Sequence, residues 1–237
     1  MSNQVKTILI TGASQGIGAA IAREFSQHPS VHLALVARNC ENLKKVQSEI
    51  AAKGVRAEVF PCDVTRPEEV EKLAREVNSS LGTPDILVNN AGCFVPHSFL
   101  DFSLEDFEKL YGANLRSVFL VTKAFLSRMV QRKTGQIFNM GSIAGLQGYP
   151  GGSGYCAAKF GVTGLTRVLR EEMKEHGIKV TLIAPGPTFS PSWEGSGVPE
   201  ERMMPAEDIA RVVYQASILH GRTVMEEVIL NPQLGPL

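Results

Sequence analysis

Tyr155 and Lys159 stand four residues apart in Tyr155-Cys-Ala-Ala-Lys159, inside a segment of helical character. At about 100° per residue, that spacing puts a phenol and an ammonium on one face of a helix, one above the other. Ser142 follows the apolar run GQIFNM, so it is predicted at the carboxyl end of a strand, where parallel sheets open their ligand crevices. Hydride delivered to a carbonyl leaves an oxyanion that needs a hydrogen-bond donor and then a proton. Ser142 can hold that oxygen and Tyr155 can protonate it. A phenol has an ordinary pKa of about 10, so it is an available acid at neutral pH and a poor base. An ammonium about 4 Å away contributes on the order of 4 kcal/mol at an effective dielectric of about 20, enough to lower that pKa by about 3. The spacing therefore predicts a Tyr155 tuned by Lys159 toward neutrality, with desolvation working in the opposite direction.

A second cluster lies near the start of the chain. Thr11-Gly12-Ala13-Ser14-Gln15-Gly16-Ile17-Gly18 follows an apolar run and leads into a helical pattern. Glycines let the backbone turn tightly and approach a pyrophosphate, while the open N–H groups of a helix start bind its charge. The spacing is GxxxGxG, not the GxGxxG of the standard dinucleotide fingerprint, so the match rests on its strand, turn and helix context; a plain tight turn is the alternative. About twenty residues further on, dinucleotide folds place an acid on the ribose 2′-hydroxyl or an Arg on a 2′-phosphate. Here the second apolar run ends Val36-Ala37-Arg38-Asn39. The acid is missing and a guanidinium is present, which favours NADP(H) over NAD(H), although a solvated Arg38 after a strand would read the same way. The positive charge of an oxidised nicotinamide would join Lys159 in stabilising a tyrosinate.

Apolar, β-branched runs of strand length recur at Lys6–Thr11, Val31–Ala37, Val55–Pro61, Asp85–Asn89, Gln136–Met140, Lys179–Ala184 and Val224–Leu230. Helical patterns between them include Ile17–Gln27, Glu41–Lys53, Pro67–Leu81, Ser117–Arg132 and Gly154–His176. Strand alternating with helix predicts an α/β fold: one doubly wound Rossmann domain over residues 1–237, with a seven-stranded parallel sheet and helices on both faces. One stretch breaks the pattern. Pro185–Pro205, PGPTFSPSWEGSGVPEERMMP, is rich in Pro, Gly and Ser and is predicted to be a long loop over the substrate.

With 237 residues the chain is long enough for a large core. Lys+Arg and Asp+Glu balance at 24 each, so no net field recruits nucleic acid or an acidic membrane. The N-terminal run is too short for a signal peptide, no stretch approaches the roughly 20 apolar residues of a membrane span, and a cytoplasmic protein is expected. The four cysteines, Cys40, Cys62, Cys93 and Cys156, are scattered without a CxxC pair; they are expected to be free thiols, with no metal site.

Taken together, TGASQGIG, the NNAG of Asn89–Gly92, Asn114, Ser142, Tyr155-Cys-Ala-Ala-Lys159 and Pro185-Gly186 resemble the classical branch of the short-chain dehydrogenase/reductase family, in family order and over essentially the whole chain. The resemblance implies that Asn114 anchors a proton-relay water and that Lys159 also hydrogen-bonds the nicotinamide ribose. It implies that Asp63-Val64 contacts adenine and that Asn89, Ala91 and Gly92 line the cofactor cleft. The family often has a Thr four residues after Pro-Gly that helps hold the nicotinamide amide; here Thr188 and Ser190 compete for that role. The tail, TVMEEVILNPQLGPL, lacks the glycine pair of many acyl-carrier-protein reductases and looks more like the sepiapterin-reductase-like carbonyl reductases.

Phe189, Trp193, Met203 and Met204 of the long loop, with Phe94, Val95, Leu146 and Tyr149, supply apolar surface for a small or medium organic substrate; packing of the lid or a subunit contact is the alternative. The expected activity is NADP(H)-dependent interconversion of a carbonyl and an alcohol, with 3-oxoacyl-[acyl-carrier-protein] reduction as the alternative. A non-catalytic NADP-binding regulator or scaffold is the reading from another class. Apolar helices around Phe119 and Phe160, and the family's habit of pairing such helices between subunits, imply a homo-oligomer, either tetramer or dimer.

Overall fold

The computed structural model describes residues 5–28, 30–193, 195 and 197–236. Strands and helices alternate: β1 (Lys6–Thr11), α1 (Gly16–Phe25), β2 (Val31–Ala37), α2 (Cys40–Ala51), β3 (Arg56–Pro61), α3 (Pro67–Ser80) and β4 (Ile86–Asn89). Then follow α4 (Leu104–Tyr111), a π-helical turn (Gly112–Arg116), α5 (Ser117–Arg132), β5 (Gly135–Met140), α6 (Ser153–Met173), β6 (Ile178–Pro185), α7 (Ala206–Ser217) and β7 (Glu227–Leu230). All seven strands join one sheet in the order β3-β2-β1-β4-β5-β6-β7, and every pairing is parallel. The predicted Rossmann-type architecture is the observed one. The chain starts at β1, winds outward to β3, then returns to β4 on the other side of β1. That reversal opens a crevice above the carboxyl ends of β1 and β4, because the crossovers leave in opposite directions.

Both faces of the sheet are covered, as side-chain alternation along the strands requires. Ile8, Ile10, Leu33, Leu35, Ile86 and Val88 meet Ile21 and Phe25 of α1, Leu43, Val46 and Ile50 of α2, and Ile209 and Val213 of α7. Leu9, Val36, Leu87, Ile137 and Val180 point the other way, onto Val70, Leu73 and Val77 of α3, Val121, Phe125 and Met129 of α5, and Leu169 of α6. Each such side chain contributes about 1.5–3 kcal/mol on burial.

Two helices fell outside the segments singled out from the sequence. Only Leu110 of α4 is buried, so its apolar stripe is too narrow to stand out. Its start is nevertheless written locally: Ser103 Oγ accepts from the Asp106 amide at 3.0 Å and donates to Asp106 Oδ2 at 2.8 Å, a close relative of the capping box. Helix α7 starts after Pro205 with Glu207 and Asp208 in its first turn, which favours the positive end of the helix dipole. The last strand is shorter than expected, since its ladder with β6 begins only at Glu227. The preceding residues still follow β6, with Thr181 Oγ1 donating to the Met225 carbonyl at 2.6 Å.

The predicted loop over 185–205 is shorter in effect than its composition suggests. The Phe189 amide donates to the Met204 carbonyl at 2.8 Å and the Met204 amide to the Pro187 carbonyl at 2.9 Å, so the ends of the segment are clamped. Short 3-10 turns occupy Pro191–Trp193 and Glu200–Arg202. Residues 194 and 196 of the predicted loop lie outside the described residues. The four cysteines are free thiols, and the described residues contain no cluster able to hold a metal ion. Among the described residues, no helix is long and apolar enough to cross a membrane.

Candidate active site

Strand β5 ends at Met140, and Ser142 follows at the rim of the crevice, 8% exposed. Its hydroxyl is held on two sides: it accepts from the Ala144 amide at 3.1 Å and donates to the Pro185 carbonyl at 3.3 Å. Tyr155 and Lys159 occupy the first turns of α6, on one face as their spacing predicts. The Lys159 ammonium is buried, donates to the Met140 carbonyl at 2.8 Å, and lies 5.5 Å from the centroid of the Tyr155 ring. Phe94 closes the other side of Tyr155 with an edge-on contact, 5.1 Å between ring centroids.

Asn114 sits in the π-helical turn that joins α4 to α5, and is 1% exposed. Its Nδ2 donates to the carbonyls of Cys93 at 2.8 Å and Leu110 at 2.9 Å, and its Oδ1 accepts from the Cys93 amide at 3.3 Å. The backbone at Gly92 threads between Asn114 and Lys159. A Cβ at that glycine would come within 2.5 Å of Asn114 Oδ1 and 3.9 Å of Lys159 Nζ. Asn114, Tyr155 and Lys159 thus meet around one short stretch of backbone after β4, with Ser142 beside Tyr155.

The expected tuning of Tyr155 is corrected by the geometry. Burial pushes its phenol up to about 12, against the neighbouring Ser142 hydroxyl, which favours ionisation. Burial likewise pushes Lys159 down to about 8, since removing an ammonium from water disfavours its charged form. Desolvation is the largest effect on both groups, and the ammonium gives its hydrogen bond to the Met140 carbonyl.

The glycine segment forms the turn into α1. Gly12 has a φ of +67°, and a Cβ at Gly18 would overlap the Gly12 carbonyl oxygen, so a side chain there would block the turn. Gln15 precedes the helix with no side-chain cap, which leaves the first amides of α1, around Gly16, Ile17 and Gly18, available to an anion. On this turn Ser14 is half-buried and Gln15 exposed. The cradle fits a dinucleotide pyrophosphate on its own geometry.

Asn90 is a residue that the sequence reading passed over. Its Nδ2 donates to the carbonyls of Thr11 at 3.0 Å and Gly12 at 3.3 Å, while Thr11 Oγ1 accepts from the amides of Asn90 and Ala91, both at 3.0 Å. These bonds tie the end of β4 to the phosphate turn across the strand reversal. Its place at the end of a central strand, in NNAG, was the available signal. Asn89, predicted to line the cleft, sends its side chain into the interior instead. Its Nδ2 donates to Thr122 Oγ1 and Asn139 Oδ1, both at 2.8 Å, and Asn139 Nδ2 donates to Thr166 Oγ1 at 3.0 Å.

Arg38 is exposed after β2 and has no hydrogen-bond or ion-pair partner among the described residues. Nearby, burial works to raise the Asp63 carboxyl, but hydrogen bonds from the Thr65 hydroxyl and amide, with Arg38 and Arg66, hold it below its ordinary value. The Val64 side chain is buried in the core, so only its backbone can reach a ligand. Of the two candidates after Pro185-Gly186, Thr188 is buried with its hydroxyl donating to the Gly186 carbonyl at 3.0 Å. Ser190 faces the phosphate turn: a Cβ at Gly16 would lie 3.1 Å from its own. Phe94, Tyr149 and Phe189 are about equally open, at 40%, 41% and 40%, and Trp193 is half-buried. Met203 and Met204, predicted to offer substrate surface, are buried, Met204 in the core beside α7.

Comparison with known proteins agrees with this geometry. The chain is 35% identical to the sepiapterin reductase of Chlorobaculum tepidum over 97% of each chain. It is 34% identical to a 3-oxoacyl-[acyl-carrier-protein] reductase of Haemophilus influenzae over 89% of each. Its structure superposes on that of an alcohol dehydrogenase from Thermococcus sibiricus, complexed with 5-hydroxy-NADP, with a TM-score of 0.91, 28% identity and 99% of each chain covered. The family model for short chain dehydrogenases matches residues 6–197, and the chain belongs to that family of oxidoreductases.

Proposed function

We propose that this protein is an NADP(H)-dependent carbonyl reductase, a single cofactor-binding domain that interconverts a ketone or aldehyde with its alcohol. The observation that carries this reading is the convergence of Ser142, Tyr155 and a buried, hydrogen-bonded Lys159 at the end of β5. The bound nicotinamide supplies or accepts the hydride. Ser142 and Tyr155 hold the carbonyl oxygen, and Tyr155 delivers the proton. A phenol pushed up to about 12 is fully protonated at neutral pH, so it is poised as the acid of the reductive direction. Lys159 orients the nicotinamide ribose, and Asn114, beside it, anchors the path that returns the proton.

Residues on both sides of the strand reversal would hold the cofactor. The amides of the Gly12–Gly18 turn take the pyrophosphate, Asp63 and the Val64 backbone the adenine, and Arg38 the 2′-phosphate. Ala91, Gly92, Pro185, Gly186, Thr188 and Ser190 enclose the nicotinamide end. The NADP-type ligand of the Thermococcus sibiricus enzyme supports this preference. Phe94, Tyr149, Phe189 and Trp193 form the substrate walls. The resemblance to the Chlorobaculum tepidum sepiapterin reductase supports a small-molecule carbonyl over an acyl-carrier-protein thioester.

Replacing Tyr155 by Phe should lower NADPH-dependent ketone reduction by about 10²–10⁴-fold, the usual range for a lost general acid. NADPH binding, followed by fluorescence, should persist. Turnover at the wild-type rate in that variant would end the reading. Arg38→Asp should shift the NADPH-to-NADH ratio of dissociation constants toward NADH by at least about tenfold, the equivalent of one charge-assisted hydrogen bond. Isothermal titration with both cofactors measures it, and an unchanged ratio would free Arg38 of its role.

Reduction needs Tyr155 protonated and Lys159 charged. With the first group at about 12 and the second at about 8, kcat/KM for reduction should be level below pH 8 and fall above it, as Lys159 loses its proton. A profile that stays level to about pH 10 would contradict the assignment of Lys159. Phe119 on α5 and Phe160 on α6 are each 47% exposed, and we assign these faces to a homo-oligomer contact, in a dimer or tetramer. Light scattering at micromolar concentration should report a mass at least twice that of the chain, and a monomer would refute the assignment.

A further inference from the structure

The turn that carries Asn114 is wider than an α-helix allows. Over Gly112–Arg116 it takes π geometry, with the Ser117 amide donating to the Gly112 carbonyl five residues back. The Ala113 carbonyl, which that amide would meet in a regular α-helix, accepts instead from the Ser117 hydroxyl at 2.6 Å. Return to α geometry would rotate one side of the turn against the other by about 100°. Such a rotation would take Asn114 from the Cys93 backbone, which it grips at 2.8 Å and 3.3 Å. Turns of this kind are rare, so this one depends on ties from outside the helix.

Asn114 supplies the inner tie. Arg116, exposed on the same turn, supplies an outer one: its Nη2 donates at 3.1 Å to the carbonyl of Thr65, 51 residues earlier in the chain. The guanidinium lies along the turn itself, since a Cβ at Gly112 would stand 3.6 Å from Arg116 Nη2. The anchor at the other end is stiff. The Thr65 hydroxyl and amide both donate to Asp63 Oδ1, at 2.7 Å and 3.0 Å, and the Asp63 amide donates to Glu69 Oε2 at 2.7 Å. The Arg66 amide donates to the Asp63 carbonyl at 3.0 Å, and α3 begins directly afterwards at Pro67. Arg116 therefore fixes the Asn114 turn to the short segment assigned above to the adenine.

Resting on the carbonyl-reductase reading above, in which Asn114 anchors the path that returns the proton to Tyr155, we infer that Arg116 is a positioning residue for that reaction. It acts through Asn114 and not on the reacting atoms. By holding the π-helical turn against the Asp63–Thr65 segment, it keeps Asn114 in place beside Gly92 and Lys159 from one turnover to the next. The adenine end and the proton-return end of the crevice thus share one brace.

The test uses Arg116→Met, which keeps an aliphatic stem along Gly112 and removes the donors, and Arg116→Lys, which can still donate to the Thr65 carbonyl. Reduction of butanone, acetophenone and benzaldehyde is followed by NADPH absorbance, in water and in deuterium oxide. In Arg116→Met, kcat should fall about fivefold, the equivalent of one hydrogen bond of ordinary net strength. KM for the carbonyl and Kd for NADPH should stay within about twofold of wild type, because the lost contact aligns a relay and binds neither ligand. Slower proton return should also enlarge the solvent deuterium isotope effect on kcat, which a general loosening of the fold would not move. Arg116→Lys should recover most of the rate together with the wild-type isotope effect. A kcat within about twofold of wild type in Arg116→Met, or a fall in kcat with the isotope effect unmoved, would overturn the inference and leave the reductase reading intact. A wild-type protein that binds NADPH but reduces none of the three carbonyl compounds would overturn both.

Discussion

A buried ammonium must be hydrogen-bonded, and the bond from Lys159 Nζ to the Met140 carbonyl meets that demand. It joins the second turn of α6 to the last residue of β5 and so sets the distance between Ser142, carried by the end of the strand, and Tyr155, carried by the helix. The surrounding packing respects it. Gly92 keeps its backbone bare between Asn114 and Lys159, and the Asn114 amide closes the same pocket through Cys93. The π-helical turn that holds Asn114 packs against α6, an irregularity of the kind often found at functional sites. Were the ammonium turned toward solvent, the Met140 carbonyl would lose its Lys159 donor and the first turns of α6 one of their ties to β5.

Electrostatic cost runs through the whole site. Burial moves Tyr155 and Lys159 each toward its own neutral form. The phosphate turn shows the same economy with backbone groups. Amides at the start of α1 face the crevice without a side-chain cap, while Asn90 braces the turn from the adjacent strand. The candidate catalytic and cofactor-binding groups thus lie at or near strand ends, and the segment after β6 is clamped through Met204.

Much of this was legible before any coordinates. Apolar β-branched runs bounded by polar turns located all seven strands, because a strand covered on both faces has to be apolar along its length. The Tyr155–Lys159 spacing, the placement of Ser142 and the glycine turn followed from helix periodicity and strand order. Other features depend on directions that spacing does not encode. How deeply the Tyr155 phenol is buried sets its acidity, and the aim of the Lys159 ammonium is set by a carbonyl nineteen residues earlier in the chain. Asn89 and Asn90 are chemically identical neighbours, yet the alternation of the strand sends one side chain inward and the other across to β1. Met203 and Met204 looked like substrate-facing surface, but both are buried, and the clamp seats Met204 in the core beside α7.

The row Thr122, Asn89, Asn139 and Thr166 crosses the interior from α5 through β4 and β5 to α6. An apolar core tolerates sliding by small amounts, since dispersion has no direction, whereas this row has a single alignment in which its three hydrogen bonds form, with Asn89 Oδ1 left without a partner among the described residues. It therefore acts as an index mark between two helices and two strands. Substituting one member strands a buried amide or hydroxyl, at about 1–3 kcal/mol, while replacing partners together by apolar groups can be nearly neutral. Drift at these positions is consequently channelled into coordinated changes, and the alignment of the helices that carry Asn114 and Tyr155 is inherited as a block.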